Sequence, residues 1–343
     1  MTMETANEAR ESSGAPGGPG ARGGNDGRGG HDRGGHDRDG RERGGPGGGY
    51  ERGGRADDRG DDRGGFGVAD RRYVHGYSAF ESQRLGDQAD TLAGLLHADT
   101  AYPPGSRVLE VGCGVGAQTV HLARSSPGAR LVAVDVSAAS LELARARVAE
   151  HVPEARVEWH RADLYALPFD DAEFDHVFVC FVLEHLVEPG RALAAVSRVL
   201  RPGGTITVIE GDHGSAFFHP DSAAARAAID AQVRLQAAAG GDALIGRRLE
   251  PLLTGAGYAD VVVRPRTVYA DRTRPTLVEG FTRDTFVAMI EAVRDDAVAA
   301  GLTTPADWSR GMADLRRTAT EDGTFHYTFF KGTAVKGGAG TAG

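Results

Sequence analysis

Three glycines spaced two apart, in Val108-Leu-Glu-Val-Gly112-Cys-Gly114-Val-Gly116, sit between a short apolar run and an amphipathic one. Glycine there lets a chain leave a strand, turn sharply and enter a helix while its backbone approaches a ligand without a Cβ clash. Asp135 follows Gly116 by 19 residues, at the end of the next apolar run. In a βαβ unit that position lets a carboxylate accept hydrogen bonds from both ribose hydroxyls. The loop therefore predicts a nucleoside-binding, parallel-sheet fold. Gly112 to Ala117 also satisfies the dinucleotide fingerprint, so a nicotinamide-dependent oxidoreductase stays open at this point.

The rest of the chain repeats the strand and helix alternation of an α/β domain. Strands are expected at 107–111, 131–134, 156–160, 174–180, 205–209, 260–269 and 324–333. Helices are expected at 80–97, 117–124, 138–151, 191–200, 221–239, 247–256 and through most of 276–319, with Ser137 capping the third. Residues 68–104 read as an N-terminal lid, 105–210 as the cofactor-binding core, and 211–257 and 270–322 as a helical cap over the substrate. Together 68–336 form one domain.

Residues 1–67 stand apart. They hold nearly half of the 50 glycines, interleaved with Arg, Asp and Pro. Such a segment cannot bury enough apolar surface to offset its ordering entropy, so disorder is expected there and in 337–343. Arg22, Arg33, Arg43, Arg52 and Arg63 each precede Gly-Gly, a pattern resembling RNA-binding low-complexity segments. Acidic residues such as Asp57, Asp58, Asp61 and Asp62 neutralise the stretch, and the chain's net charge is −9. Nucleic acid is therefore disfavoured as a partner. Two cysteines, Cys113 and Cys180, read as buried thiols in a reducing compartment. No apolar run is long enough to span a bilayer, and the N-terminus lacks a signal-peptide core, so a cytoplasmic protein without membrane association is expected.

Neighbours of the glycine loop refine the ligand. Glu110, two residues ahead of Gly112, suits a ligand with an ammonium and a sulfonium and would repel a pyrophosphate. Asp163, in Arg161-Ala162-Asp163-Leu164, is placed to accept from an adenine amino group. No His-Glu-x-x-His or paired-cysteine spacing suggests a metal.

These residues together resemble the class I methyltransferases, in the broad group that contains the ubiquinone and menaquinone C-methyltransferases. Val108 to Gly116 resembles that family's first motif, Asp135 its ribose acid and Ala162-Asp163 its adenine contact. Leu167 to Asp171, Phe174 to Val177, Leu183-Glu184-His185-Leu186 and Leu200 to Gly204 resemble its later motifs. The likeness covers about 107–209. It implies a Rossmann-like, seven-stranded, mostly parallel sheet with one antiparallel strand, and S-adenosyl-L-methionine as methyl donor. The cofactor set it implies is Arg84, Glu110, Gly112, Cys113, Gly114, Gln118, Asp135, Val136, Ala162, Asp163, Leu164 and Phe181.

Methyl transfer from a positive sulfur demands alignment and exclusion of water more than a strong nucleophile. The acceptor side is therefore less legible. Glu210-Gly-Asp212-His213 through His219 reads as a polar loop leaving the fifth strand, with Asp212 and His219 as candidate catalytic groups. Tyr77, in the lid segment Tyr73-Val-His-Gly-Tyr77, is a third. That segment with the Glu-Gly-Asp-His run is loosely similar to bacterial indole C3-methyltransferases, which implies a small aromatic or heteroaromatic acceptor. Alternatives are an RNA methyltransferase, the oxidoreductase, and a non-enzymatic RNA-binding protein. Carbon, nitrogen and oxygen stay open as the methylated atom, and the oligomeric state is unassigned.

Overall fold

A computed structural model describes residues 79–337. The expected disordered tail 1–67, the segment carrying Tyr77, and 338–343 lie outside the described residues.

The sheet begins where the sequence is most apolar. Strands β1 (Arg107–Val111), β2 (Arg130–Asp135), β3 (Val157–Arg161) and β4 (Phe174–Cys180) are joined by right-placed helices α2 (Ala117–Ser125) and α3 (Ala138–His151) and by shorter turns. β1 lies between β2 and β4, parallel to both. Covered on both faces, β1 and β2 read as near-continuous apolar runs rather than alternating ones. One face, with Leu109, Val132, Val177 and Val208, packs against Leu193 and Val196 of α4 (Pro189–Val199) and Leu249 and Leu253 of α6 (Leu249–Gly255). The other face, with Val108, Leu131, Phe178 and Ile209, packs against Leu92 and Leu96 of α1 (Ala79–Leu96) and Val120 and Leu122 of α2.

β5 (Leu200–His219), β6 (Tyr258–Ala270) and β7 (Thr324–Lys336) complete a seven-stranded sheet of order 3-2-1-4-5-7-6. Only β7 runs antiparallel to its neighbours. β6 is an edge strand, the kind of strand to which proline within sheets is confined, and it carries Pro265. Ser137 caps α3 as expected, its hydroxyl accepting from Ser140 N at 3.2 Å.

Two expectations need correction. Residues 210–219 are strand, not loop. Parallel pairing with β4 ends at Cys180 and Ile209, but β7 is 13 residues long and continues to satisfy the β5 backbone. A register shift between Asp212 and Phe217 marks a bulge, and bulges re-aim side chains. The 276–319 region is not one continuous helical stretch. It divides into a π-helical segment (Leu277–Val287), the short helices α7 (Ala288–Ala292) and α8 (Arg294–Ala299), and α9 (Pro305–Arg317). Between α5 (Ala223–Ala238) and α6 lies a 3₁₀ turn, Ile245–Arg248. Among the described residues no helix is long and apolar enough to cross a membrane.

Candidate active site

The site is built at the C-terminal ends of β1, β2, β4 and β5, where ligands gather in open α/β sheets. Gly112, Gly114 and Gly116 have φ of +69°, +51° and +76°, the left-handed region that side chains avoid. Each serves a different contact. A Cβ at Gly116 would fall 2.8 Å from the Ala144 Cα of α3, and one at Gly112 2.6 Å from Val182 Cγ2. A Cβ at Gly114 would meet nothing within 4 Å, so this is the side open to a ligand.

Asp135 ties the loop together. Its Oδ2 accepts from Gly114 N and its Oδ1 from Ser137 N, both at 2.9 Å. Burial pushes its carboxyl upward, and those backbone N–H groups oppose the shift. Beyond it Val136 is 55% exposed, an apolar platform at the edge of the glycine loop. Asp163 is exposed and accepts from Tyr165 N at 2.9 Å, capping the 3₁₀ turn that starts with buried Leu164. Ala162 N donates to Asp135 O at 3.0 Å, which joins the adenine-side and ribose-side residues.

Glu110 is buried at 2% exposure, and its Oε2 has no hydrogen-bond partner. Burial drives its pKa up to about 8, with the Asp135 charge adding to the shift. The folded protein therefore binds a proton that the unfolded chain releases above 4.5, and this contribution to stability is lost as pH rises from 4.5 through 8. Glu110→Gln should remove that loss, flattening the ligand-free stability profile between pH 5 and 8 by roughly 3 kcal/mol at about 1.4 kcal/mol per pH unit. Urea titrations at the two pH values check this; an unchanged slope would refute it.

Gln118 turns its amide oxygen to α1's end rather than to the loop, meeting His97 Nε2 at 2.7 Å. His97 stays neutral, its pKa pulled to about 4 by burial. Cys113 and Cys180 are buried free thiols, pushed up by burial. Arg84 is buried at 6% rather than solvated, and its Nη1 donates to Gln88 Oε1 at 3.3 Å. Lys331 of β7 anchors the same helix by donating to Leu96 O at 3.0 Å and to Asp99 and Thr100. Phe181 leaves β4 with φ of +57°, its ring centroid 5.5 Å from that of Phe329.

On the acceptor side the structure separates the two candidates on β5. Asp212 is locked in a two-pronged pair with Arg247, at 2.7 Å from both Nε and Nη2, and also accepts from Gly214 N. That leaves it a brace for the bulge. His219 is exposed and paired with Thr324, seven residues further along the strand. At about 3.3 Å per residue it lies on the order of 20 Å from Asp212, so it does not join the strand ends. His213, four residues past Ile209, lies nearer to them. It is buried, and its Nδ1 lies 2.7 Å from the Tyr327 hydroxyl. Burial lowers its pKa; the Glu184 and Asp212 carboxylates oppose that shift, and His185 and Arg84 add to it. Phe286, Phe281 and Phe329 surround Tyr327 with centroids 4.7–5.5 Å away. Tyr327 is not among the candidates read from the sequence. Its signal was Gly211, since a Cβ there would sit 2.4 Å from the Tyr327 hydroxyl. No group of His, Cys, Asp and Glu able to hold a metal occurs among the described residues.

Residues 109–208 match the methyltransferase-domain family. The chain carries a class I methyltransferase domain. That match decides between the two cofactors the glycine loop allowed, in favour of S-adenosylmethionine. An uncharacterized 37.1 kDa protein in a transposon of Streptomyces fradiae is 36% identical over 189 residues, 53% of this chain and 52% of that protein. Demethylmenaquinone methyltransferase from Clavibacter sepedonicus is 43% identical over 106 residues, 31% of this chain and 41% of its own. The chain thus spans about half or less of these relatives' own length. Among solved structures, the YcgJ protein from Bacillus subtilis aligns over 74% of this chain and 99% of its own, with a TM-score of 0.47 and 14% identity. The methyltransferase domain's loop fits this cofactor on its own terms. Gly114 offers an open backbone, Asp135 and Val136 flank it, and the orphaned Oε2 of Glu110 is an acceptor for a cationic group.

Proposed function

We propose that this protein transfers a methyl group from S-adenosylmethionine to a small aromatic or heteroaromatic acceptor, indole-like, that carries a dissociable N–H or O–H. The observation that carries this reading is the buried His213–Tyr327 pair beside the rings of Phe281, Phe286 and Phe329. The bound cofactor supplies a methyl group already activated by positive sulfur.

The chain's own residues do the rest. Asp135 and the glycine loop orient the ribose, and Ala162, Asp163 and Leu164 border the adenine side. Arg84, Glu110 and Phe181 border the methionine side, and Cys113 and Gly112 line the turn between them. The aromatic wall excludes water and stacks on a planar acceptor. With Nδ1–H donated to the Tyr327 oxygen, His213 Nε2 keeps a lone pair and can take the acceptor's proton as the new bond forms. Tyr77 remains a further proposed contact from the lid. Incubation with methyl-labelled S-adenosylmethionine and a panel of indoles, phenols and quinones tests the reading. Label should pass to an indole or phenol; transfer to none of the panel would defeat it.

A further inference from the structure

The turn that leaves β4, Phe181 to His185, is held by a residue of the next strand. Glu210 of β5 is fully buried, and its Oε1 accepts from Val182 N at 3.0 Å and Leu183 N at 2.7 Å. One oxygen thus satisfies two backbone donors that the parallel ladder has released. Phe181 N still bonds Ile209 O at 2.9 Å, so the clamp begins one residue past the last ladder bond. The clamped turn is strained, because Phe181 is a bulky residue in the left-handed region. Such a conformation persists only where its surroundings over-determine it, and it clusters at functional sites.

The turn also touches both halves of the site. Val182 packs where a Cβ on Gly112 would sit, so any shift of the turn moves into the cofactor loop. The Phe181 ring meets Phe329 of β7, beside Tyr327. Glu184 in the same turn accepts from Gln236 Nε2 at 3.1 Å and contributes to the field around His213. A buried carboxylate is a costly way to bind two amides, and its other oxygen, Oε2, has no partner. The Glu184 charge beside it and burial both hold the Glu210 carboxyl well above the usual range, which favours the neutral acid. In that form Oε1 still accepts from the turn.

We propose that Glu210 is a positioning residue that sets the β4 exit turn, and through it Phe181 and Val182, for the cofactor and acceptor. It touches neither ligand itself, and the proposal rests on the reading of this site as a methyltransferase centre. The required feature is the reach of an accepting oxygen, not a negative charge. E210Q keeps the reach of an accepting oxygen and cannot ionise; E210D keeps a carboxyl group and withdraws the oxygen by one methylene.

The test is the affinity of the full chain for S-adenosylhomocysteine by calorimetry, with thermal melts to establish that each variant folds. E210Q should bind within about threefold of the parent. E210D should bind about tenfold more weakly while melting cooperatively, since displacement of a positioning group by about an ångström carries large costs. Parent-like affinity in folded E210D overturns the proposal, as does E210Q weakening as much as E210D. Failure of the parent chain to bind S-adenosylhomocysteine would instead overturn the methyltransferase reading beneath it.

Discussion

His213→Ala is expected to lower turnover by about 10²-fold or more, the usual contribution of a positioned general base, with S-adenosylhomocysteine affinity within about twofold of the parent. The split follows from placement. His213 stands on the β5 bulge facing Tyr327, whereas Glu110 and Asp135, proposed to face the cofactor, stand on β1 and β2. Its pH dependence has a definite sign. Only neutral imidazole can accept a proton, and burial holds His213 below its ordinary 6.5. Activity should therefore persist as pH falls through 6.5 and drop only at more acid values. The groups facing it bear on how far. Glu184 and Asp212 favour the imidazolium, Arg84 and His185 disfavour it, and the Tyr327 hydroxyl bonds Nδ1. Tyr327→Phe should retain more turnover than His213→Ala, because the ring still packs and only the orienting bond is lost. A pH–rate profile of kcat for both variants with a methylated indole or phenol checks this. Unaltered turnover in His213→Ala would remove the base from the mechanism.

The division between legible and illegible parts of this chain has a physical basis. Strands β1, β2 and β4 carry local signals strong enough to read singly: apolar runs, a glycine loop requiring positive φ, and a capping serine. They emerge within a residue or two of their expected ends. The β5 continuation carried no such signal. Glu210 to His219 is largely polar, glycine-containing and followed by a proline, and looks like a loop unless its partner strand more than a hundred residues away is known. The same long-range pairing decides which histidine faces inward. The bulge between Asp212 and Phe217 turns His213 to Tyr327 and carries His219 away, a choice that spacing along one strand does not contain. The burial of Arg84 and the bond between Gln118 Oε1 and His97 Nε2 were illegible for a related reason, since each depends on elements packed from elsewhere in the chain.

Asp135→Ala should weaken binding of S-adenosylmethionine and S-adenosylhomocysteine alike, by roughly 1–3 kcal/mol, the scale of lost hydrogen bonds to a charged group. Equal loss for both ligands distinguishes this residue from any that sense the sulfur, because ribose hydroxyls are common to the two. The structure adds a second cost. Asp135 is also the acceptor for Gly114 N and Ser137 N, so its removal leaves the tip of the glycine loop and the start of α3 without their shared anchor. Asp135→Asn separates the two effects. The amide oxygen can still accept one of the backbone donors, so the loop should hold its shape while the charge that favours the ribose hydroxyls is gone. The expected order of affinity is parent, then Asn, then Ala, measured by calorimetry with either ligand at neutral pH. Identical affinity in all three would mean that the ribose does not sit at the end of β2. If Asn binds as weakly as Ala, the carboxylate's charge rather than its brace on the glycine loop carries the binding.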